Sequence, residues 1–406
     1  MNKKLLTLAV AAAMVAPTAA MAEAILYGKL HVSIDWVDIE GYDSVPVVNP
    51  VTGQVTGYVP ENYTGWGVNL GGPLKATTGS THANRIGVKG SEDLGNGLKA
   101  IYQVEFGVQL SQESTKGSAV SGANDEIVSM RNSFVGLAGG WGTAFVGRHD
   151  TPLKISTGKL DLFADTIADY NFTVGFNDLR VDNAIAYISP DLSGFQLAAA
   201  VHAGGAATAG FGENVNADSI AEGYSIAGIY SNGPFYGSLA YESLSNNLFM
   251  DSLTSQLGRT FPDGTPRSGY VEDDFTKWRV GLGLLDWNGF TLTGIYEEQS
   301  NLPAGQINPM EDPEKLKLWQ VQAGYAFGNN MVKGMYGSGN RDGRFDEANN
   351  IQEFKDSIEG DYYTWAIAFD HNFSKRTKAY VVYTQVDDDA PQSGWDGFSV
   401  GMIHDF

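Results

Sequence analysis

Residues 394–406 read GWDGFSVGMIHDF. Counting back in twos from Phe406 puts His404, Met402, Val400 and Phe398 on one face, and Asp405, Ile403, Gly401 and Ser399 on the other. The first face is mostly apolar and the second mostly small or polar. That pattern fits a strand with lipid on one side and water on the other.

The same period recurs upstream. Over 24–37, Leu26, Leu30, Val32, Ile34 and Trp36 alternate with Tyr27, Lys29, His31, Ser33 and Asp35. Over 98–110, Leu98, Tyr102, Val104, Phe106, Val108 and Leu110 alternate with Lys99, Gln103, Glu105 and Gln109. Over 316–328, Trp319, Val321, Tyr325 and Phe327 alternate with Gln320, Gln322 and Gly324. Polar residues interrupt every helical stripe that could be drawn through these segments. Read this way, the chain holds sixteen strands, near 24–37, 82–92, 97–110, 128–138, 142–149, 181–189, 194–203, 222–231, 234–245, 274–286, 289–299, 316–327, 330–339, 361–372, 376–387 and 394–406. Short connections such as DLGNG (93–97), GGWG (139–142) and DWNG (286–289) carry the Gly, Asn and Asp that tight turns need. They alternate with long ones, including 38–81, 150–180, 246–273 and 340–360. The expectation is an all-β fold: a 16-stranded antiparallel transmembrane β-barrel with short periplasmic turns and long outer loops. A soluble β-sandwich would account for the alternation but not for an export signal and an even strand count together.

The N-terminus reads as that signal. Lys3 and Lys4 precede the apolar run Leu5–Ala16, which is too short to span a bilayer, and Ala20-Met21-Ala22 fits a small-residue cleavage site. The expectation is a cleaved signal peptide over 1–22 and a single barrel domain over 23–406, in the outer membrane of a Gram-negative bacterium. Cleavage removes two lysines and no acids, so the net charge moves from −21 to −23. That sign disfavours nucleic-acid binding. The absence of Cys excludes thiol nucleophiles, iron–sulfur clusters and Cys-based zinc sites. The six histidines are scattered, without His-Glu-x-x-His, and no Gly-x-Ser-x-Gly occurs. The chain is therefore expected to be no enzyme and to need no cofactor or metal. GSGNRDGRFDE (337–347) has a Gly/Asp flavour of calcium repeats, but as one copy it reads as a solvated loop.

Four basic residues fall on the polar faces of successive early strands: Lys29, Arg85, Arg131 and Arg148, with Lys89 and Lys99 as possible extensions. Adjacent strands lie about 4.8 Å apart, so such side chains can form a ladder on one wall. The connection 150–180 contains Asp161, Asp165 and Asp169 at a spacing of four, which a helical turn would align on one face. Acids on an infolded loop opposite a basic wall would set a transverse field across a narrow pore. Acidic triplets at Glu272, Asp273 and Asp274, at Glu311, Asp312 and Glu314, and at Asp387, Asp388 and Asp389 favour a cation preference. Gly28, Gly136 and Gly147 read as small outward-facing residues suited to close approach between barrels.

Five blocks, RIGVKGSEDLGNGLKAIYQVEFG (85–107), RNSFVGLAGGWGTAFVGRHDTP (131–152), NAIAYISPDLSGF (183–195), SKRTKAYVVYTQV (374–386) and GMIHDF (401–406), resemble the Gram-negative general porin family, most closely its Neisserial-type branch. The resemblance implies a homotrimer in outer-membrane lipid and lipopolysaccharide, passive diffusion of ions and small hydrophilic solutes, and a third outer loop folded into the lumen. It carries the family's basic wall onto Lys29, Arg85, Arg131 and Arg148, and its loop acids onto the Asp161–Asp169 stretch. The terminal Phe406 resembles the assembly signal read by the outer-membrane assembly machinery. The Pro-Glu-Phe-Gly-Gly loop motif of enterobacterial members is missing. Other readings of the same barrel are a substrate-specific channel for organic acids or sugars, and a surface receptor or adhesin.

Overall fold

The computed structural model describes residues 23–48, 55–71, 82–110, 128–204, 219–245, 248, 274–301, 313–343, 360–389 and 394–406. The expected signal peptide, Glu272, Asp273, Glu311, Asp312 and part of the 337–347 segment lie outside them. All strands pair antiparallel in one closed sheet. The first half comprises β1 (Glu23–Val48), β2 (Val55–Asn69), β3 (Arg85–Gly95), β4 (Leu98–Val108), β5 (Val128–Met130), β6 (Ser133–Gly139), β7 (Gly142–Asp150), β8 (Arg180–Ile188) and β9 (Phe195–His202). The second half comprises β10 (Gly223–Asn232), β11 (Phe235–Leu244), β12 (Phe275–Trp287), β13 (Phe290–Ser300), β14 (Pro313–Phe327), β15 (Asn330–Gly343), β16 (Gly360–Asn372), β17 (Thr377–Asp388) and β18 (Trp395–Asp405).

These eighteen segments make sixteen barrel strands, because two strands are interrupted. β5 and β6 both pair with β4 and are separated only by Arg131 and Asn132. β2 and β3 both pair with β1: Ser33 faces Asn69 and Lys29 faces Arg85, so residues 30–32 span an excursion over 70–84. Asn84 clamps its ends. Its Nδ2 donates to the Leu70 carbonyl at 2.9 Å, and the Val108 and Leu110 amides donate to the Asn84 and Leu70 carbonyls, each at 3.0 Å. The connection 38–81, read as one long loop, therefore begins with strand: β1 continues to Val48 and returns as β2.

Closure follows from the last strand. β18 pairs with β1 from Lys29–Asp405 to Ile39–Trp395. Beyond that register, the Gly28 amide donates to the Phe406 carbonyl at 3.0 Å and the Phe406 amide to the Gly28 carbonyl at 3.1 Å. Among the described residues no open edge remains, as a membrane sheet requires.

Alternation decides which side chains face out. In β1, Leu26 and Ile34 are 61% and 53% exposed while His31, Ser33 and Asp35 are 0%, 3% and 1% exposed. In β14, Trp319, Val321, Tyr325 and Phe327 are exposed while Gln320 and Gln322 are buried. An apolar surface over buried glutamines suits lipid outside and water inside. Trp287, Phe290, Tyr325 and Phe327 flank the short turns, and Trp278, Trp319, Tyr336 and Trp365 lie nearer the long connections. These are the two aromatic girdles of a membrane barrel. At the turn after β3, Asn96 has φ 53° between Gly95 at 88° and Gly97 at 77°, a left-handed run that Gly and Asn tolerate.

The apolar core is not between sheets. It lies where the 150–180 segment packs on the inner wall: Leu153, Leu160, Tyr170, Val174 and Phe176 meet Ala227, Tyr236, Ile295 and Leu318, and Phe163 and Ile167 meet Met335, Ala366 and Tyr380.

Candidate functional site

The inner loop leaves β7 through a capped turn. Thr151 accepts a hydrogen bond from the Lys154 amide, Pro152 occupies the first turn, and α1 (Pro152–Thr157) follows. α2 (Tyr170–Thr173) is capped by Asp169, which accepts from the Asn171 amide. The stretch between them is not helical, and Asp165 has φ 63°. A helical face bearing all three acids therefore does not form, because each carboxylate follows a different local partner.

Asp161 accepts from the Phe163 amide and from Gln322 Nε2, both at 2.9 Å. Burial raises its carboxyl to about 6 against those hydrogen bonds. Asp169 turns back into the loop, accepts from the Asp165 amide at 2.9 Å, and is raised well above the usual range by burial, with Asp161 adding to it. Asp165 alone reaches the basic wall, on β1 next to β18, where it meets Lys29 Nζ at 2.9 Å. Burial would raise this carboxyl, but Lys29 and Arg85 outweigh it and hold it at about 2.

The loop is stitched to the far wall mainly through its carbonyl oxygens. Tyr236 Oη donates to Ser156 O at 2.8 Å, Thr293 Oγ1 to Leu160 O at 2.8 Å, Lys333 Nζ to Leu162 O at 2.6 Å, and Tyr362 Oη to Val174 O at 2.6 Å. Beneath it, Arg279 joins Glu297 at 2.5 Å and Asp178 at 2.6 Å; Lys277 joins Glu242 at 2.7 Å; Lys333 joins Asp370 at 2.9 Å. The sequence reading did not single out these anchors. Part of their signal was available: Lys277, Arg279 and Lys333 are charged residues at inward positions of strands, whereas Tyr236, Thr293 and Tyr362 carry no charge.

The basic residues do not share one fate. Lys29 faces Arg85 across β1 and β3, and Arg85 faces Gly107 across β3 and β4. Arg131 enters from the β5–β6 break, and its Nε donates to Glu105 at 2.6 Å. These three share the inner wall. Arg148 does not start there. It follows Val146, which is outward and 50% exposed, and it faces Ser133 where the β6–β7 pairing ends. Its Nε donates to the Met130 carbonyl at 3.1 Å and its Nη1 meets Asp182 at 2.7 Å, so it ties strands together. Lys89 sits four residues below Arg85, about 13 Å along the strand, with its Nζ 5.0 Å from the Tyr27 ring centre. Arg180, which the sequence reading passed over, joins Asp150 at 2.9 Å and donates to Asn132 at 2.7 Å, and Lys154 shares Asp150 at 3.1 Å. Among the described residues Arg85 has no ion pair, so the wall keeps positive charge after pairing.

Two of the three small residues also differ from expectation. A side chain on Gly136 would strike Phe145 Cβ at 2.5 Å, and one on Gly147 would strike Phe134 Cβ at 3.0 Å. Phe134 and Phe145 alternate with the exposed Val135 and Val146, so both glycines face inward. Gly28 is outward, covered by the Phe406 ring. Among the described residues there is no cluster of three or more His, Asp or Glu able to hold a metal ion.

Comparison with known proteins agrees with this architecture. A family model described as Gram-negative porin matches residues 9–391. The major outer membrane protein P.IB of Neisseria gonorrhoeae is 26% identical over 398 residues, covering 94% of this chain and 92% of that protein. Major outer membrane protein P.IA of Neisseria meningitidis serogroup A is 28% identical over 447 residues, covering all of both chains. Among solved structures, an anion-selective porin from Comamonas acidovorans superposes with a TM-score of 0.62 at 18% identity, over 95% of this chain and 100% of that one. The outer membrane channel DcaP of Acinetobacter baumannii gives 0.58 at 13% identity, over 95% and 97%. At those identities the structural likeness is one of fold. A match over nearly the whole chain, on a closed barrel with a lipid-facing exterior and an infolded loop, settles the family: this chain belongs to the Gram-negative porins.

Proposed function

We propose that this outer-membrane porin works as a homotrimer whose subunits each pass ions and small hydrophilic solutes passively, without a catalytic step. The narrow section lies between the 150–180 loop and the inner wall bearing Lys29, Arg85 and Arg131. The observation that carries this reading is the Lys29–Asp165 contact at 2.9 Å, which ties a loop anchored on strands β11 to β18 to the adjoining basic wall. Anchored there, the loop narrows the lumen from one side, and the free charge beside the remaining path is cationic.

Single-channel recording in planar bilayers under a salt gradient tests it. Arg85→Gln and Arg131→Gln should each move the zero-current potential toward cation preference, with barrel folding unchanged. Unaltered potentials in both variants would place the narrow section elsewhere. Conductance that saturates with one solute would instead indicate a substrate-specific channel.

Two further assignments support export and assembly. Residues 1–22 act as a cleaved signal peptide, consistent with β1 opening at Glu23. Phe406 serves as an assembly signal as well as part of the closing ladder. Deleting it should lower the amount of folded protein in the outer membrane far more than the heat stability of what arrives. Normal surface levels of the truncated chain would refute the second role.

A further inference from the structure

The lumen of such a barrel is normally lined by polar side chains, yet three inward rings cluster just below the basic wall. Phe134 and Phe145 lie 4.7 Å apart by ring centres, Phe145 and His149 4.7 Å, and Phe134 and His149 5.3 Å. Gly136 and Gly147 leave room for Phe145 and Phe134, since a side chain at either would collide with them. His149 is held by the Asp150 carbonyl at 2.8 Å from its Nδ1. Behind the rings lie Ala186, Ala200 and Ile188, and no residue of the inner loop joins this cluster, unlike the two clusters that anchor the loop. Phe145 is 5% exposed, whereas Phe134 and His149 keep part of their surface open.

Along the wall, Arg131 lies three residues before Phe134, and Arg85 lies four residues above Lys89, whose partner Gln103 faces Phe134. Arg131 is held through Nε by Glu105, and among the described residues its two Nη groups have no protein partner. Arg85 has no ion pair there either. Gly107 lies between them: it faces Arg85 across β3 and β4, and a side chain on it would stand 3.4 Å from Arg131 Cδ. Paired Nη donors suit a carboxylate, which they can take in bidentate fashion. Aromatic faces suit a planar ring in offset or edge contact.

We infer that the pore wall holds a subsite for small aromatic carboxylates, with Arg85 and Arg131 taking the carboxylate and Phe134 and His149, backed by the buried Phe145, taking the ring. The inference rests on the basic wall bordering the narrow section. Solutes of this class dwell at the wall, whereas acetate passes with only the charged contact.

The test uses the full mature protein in planar bilayers, with chloride as current carrier and benzoate or acetate added. In the wild type, benzoate should reduce chloride current at about 3- to 10-fold lower concentration than acetate, the range expected for one aromatic contact. Phe134→Leu keeps the apolar packing and should remove most of that difference. Arg131→Gln should weaken both carboxylates alike. Equal action of benzoate and acetate on the wild type overturns the inference, as does a Phe134→Leu variant that still favours benzoate to the full extent. Those outcomes are separate from the zero-current potentials of the arginine variants, which alone decide where the narrow section lies.

Discussion

At the scale of single residues, three aspartates in one loop have three electrostatic roles. Asp165 is an ion-pair partner held at about 2, Asp169 caps a helix, and Asp161 sits at about 6. A carboxyl lowered by its partners stabilises the fold above its ordinary value, and that contribution is lost as pH falls through about 2. The Lys29–Asp165 contact should therefore survive mild acid. Asp161 has the opposite sign. Its folded value is raised, so its contribution is complete below the ordinary carboxylate range and is lost as pH rises through about 6. Acidifying from pH 7.5 to 5 should remove negative charge from the loop and shift the zero-current potential toward anions. Asp161→Asn should shrink that step while leaving the potential at pH 5 close to the wild-type value. A pH-independent potential in the wild type would contradict the assignment.

None of these roles was legible from a spacing of four. Each depends on a partner distant in sequence, such as Gln322 or Lys29, or on a turn that breaks helical periodicity. Period two, by contrast, is local. It located Lys29, Arg85 and Arg131 on the inner face, and it misplaced Gly136 and Gly147, which sit beside the inward Phe134 and Phe145. Arg148 was misread for a related reason: its strand keeps regular alternation past Gly147, while β8 accommodates an extra residue at Asn183, φ 53°.

At the scale of elements, the loop is held by more than hydrophobic contact. Leu153, Leu160, Phe163, Ile167 and Val174 are all 0% exposed, and beneath them the Arg279 guanidinium is fully buried between Glu297 and Asp178. Removing one partner of a buried ion pair leaves an uncompensated charge and costs about 3–5 kcal/mol, whereas replacing the pair by apolar groups can be neutral. Arg279→Ala should thus loosen the loop, seen as added open-channel noise and faster labelling of a cysteine placed at Ala164. The double change Arg279→Met with Glu297→Met should restore quiet current, because Asp178 keeps its hydrogen bond from Tyr170 at 2.5 Å. The barrel's heat stability should change little in either, since the strand ladders are untouched. Quiet channels in Arg279→Ala would mean that the apolar contacts suffice. Strand ends came out within a few residues of the sequence reading because short turns bearing Gly, Asn or Asp mark them. The β1–β2 hairpin did not, since IEGYDSVPVV (39–48) lacks clean alternation and contains Pro46.

At the scale of the whole molecule, two charge distributions oppose each other. The chain carries a net charge of −21, with acidic groups in the outer connections and at the rim, where Asp387 and Asp389 are exposed. The inner wall keeps positive charge at Arg85, beside Arg131 paired with Glu105. Which one sets selectivity depends on the reach of each field. The screening length is about 30 Å at 0.01 M salt and about 3 Å at 1 M. In dilute salt the outer acids act on ions well before they reach the narrow section, so cations are favoured. In concentrated salt only charges at contact distance count, and a permeating ion meets the arginines. Zero-current potentials measured at a fixed concentration ratio should therefore show a cation preference that falls, then gives way to anions, as mean concentration rises from 0.01 to 1 M. Asp387→Asn with Asp389→Asn should weaken the preference at the dilute end and leave the concentrated end unchanged, while Arg131→Gln should do the reverse. A preference that stays constant across that range, or that turns further toward cations, would show that a single charged region governs the pore.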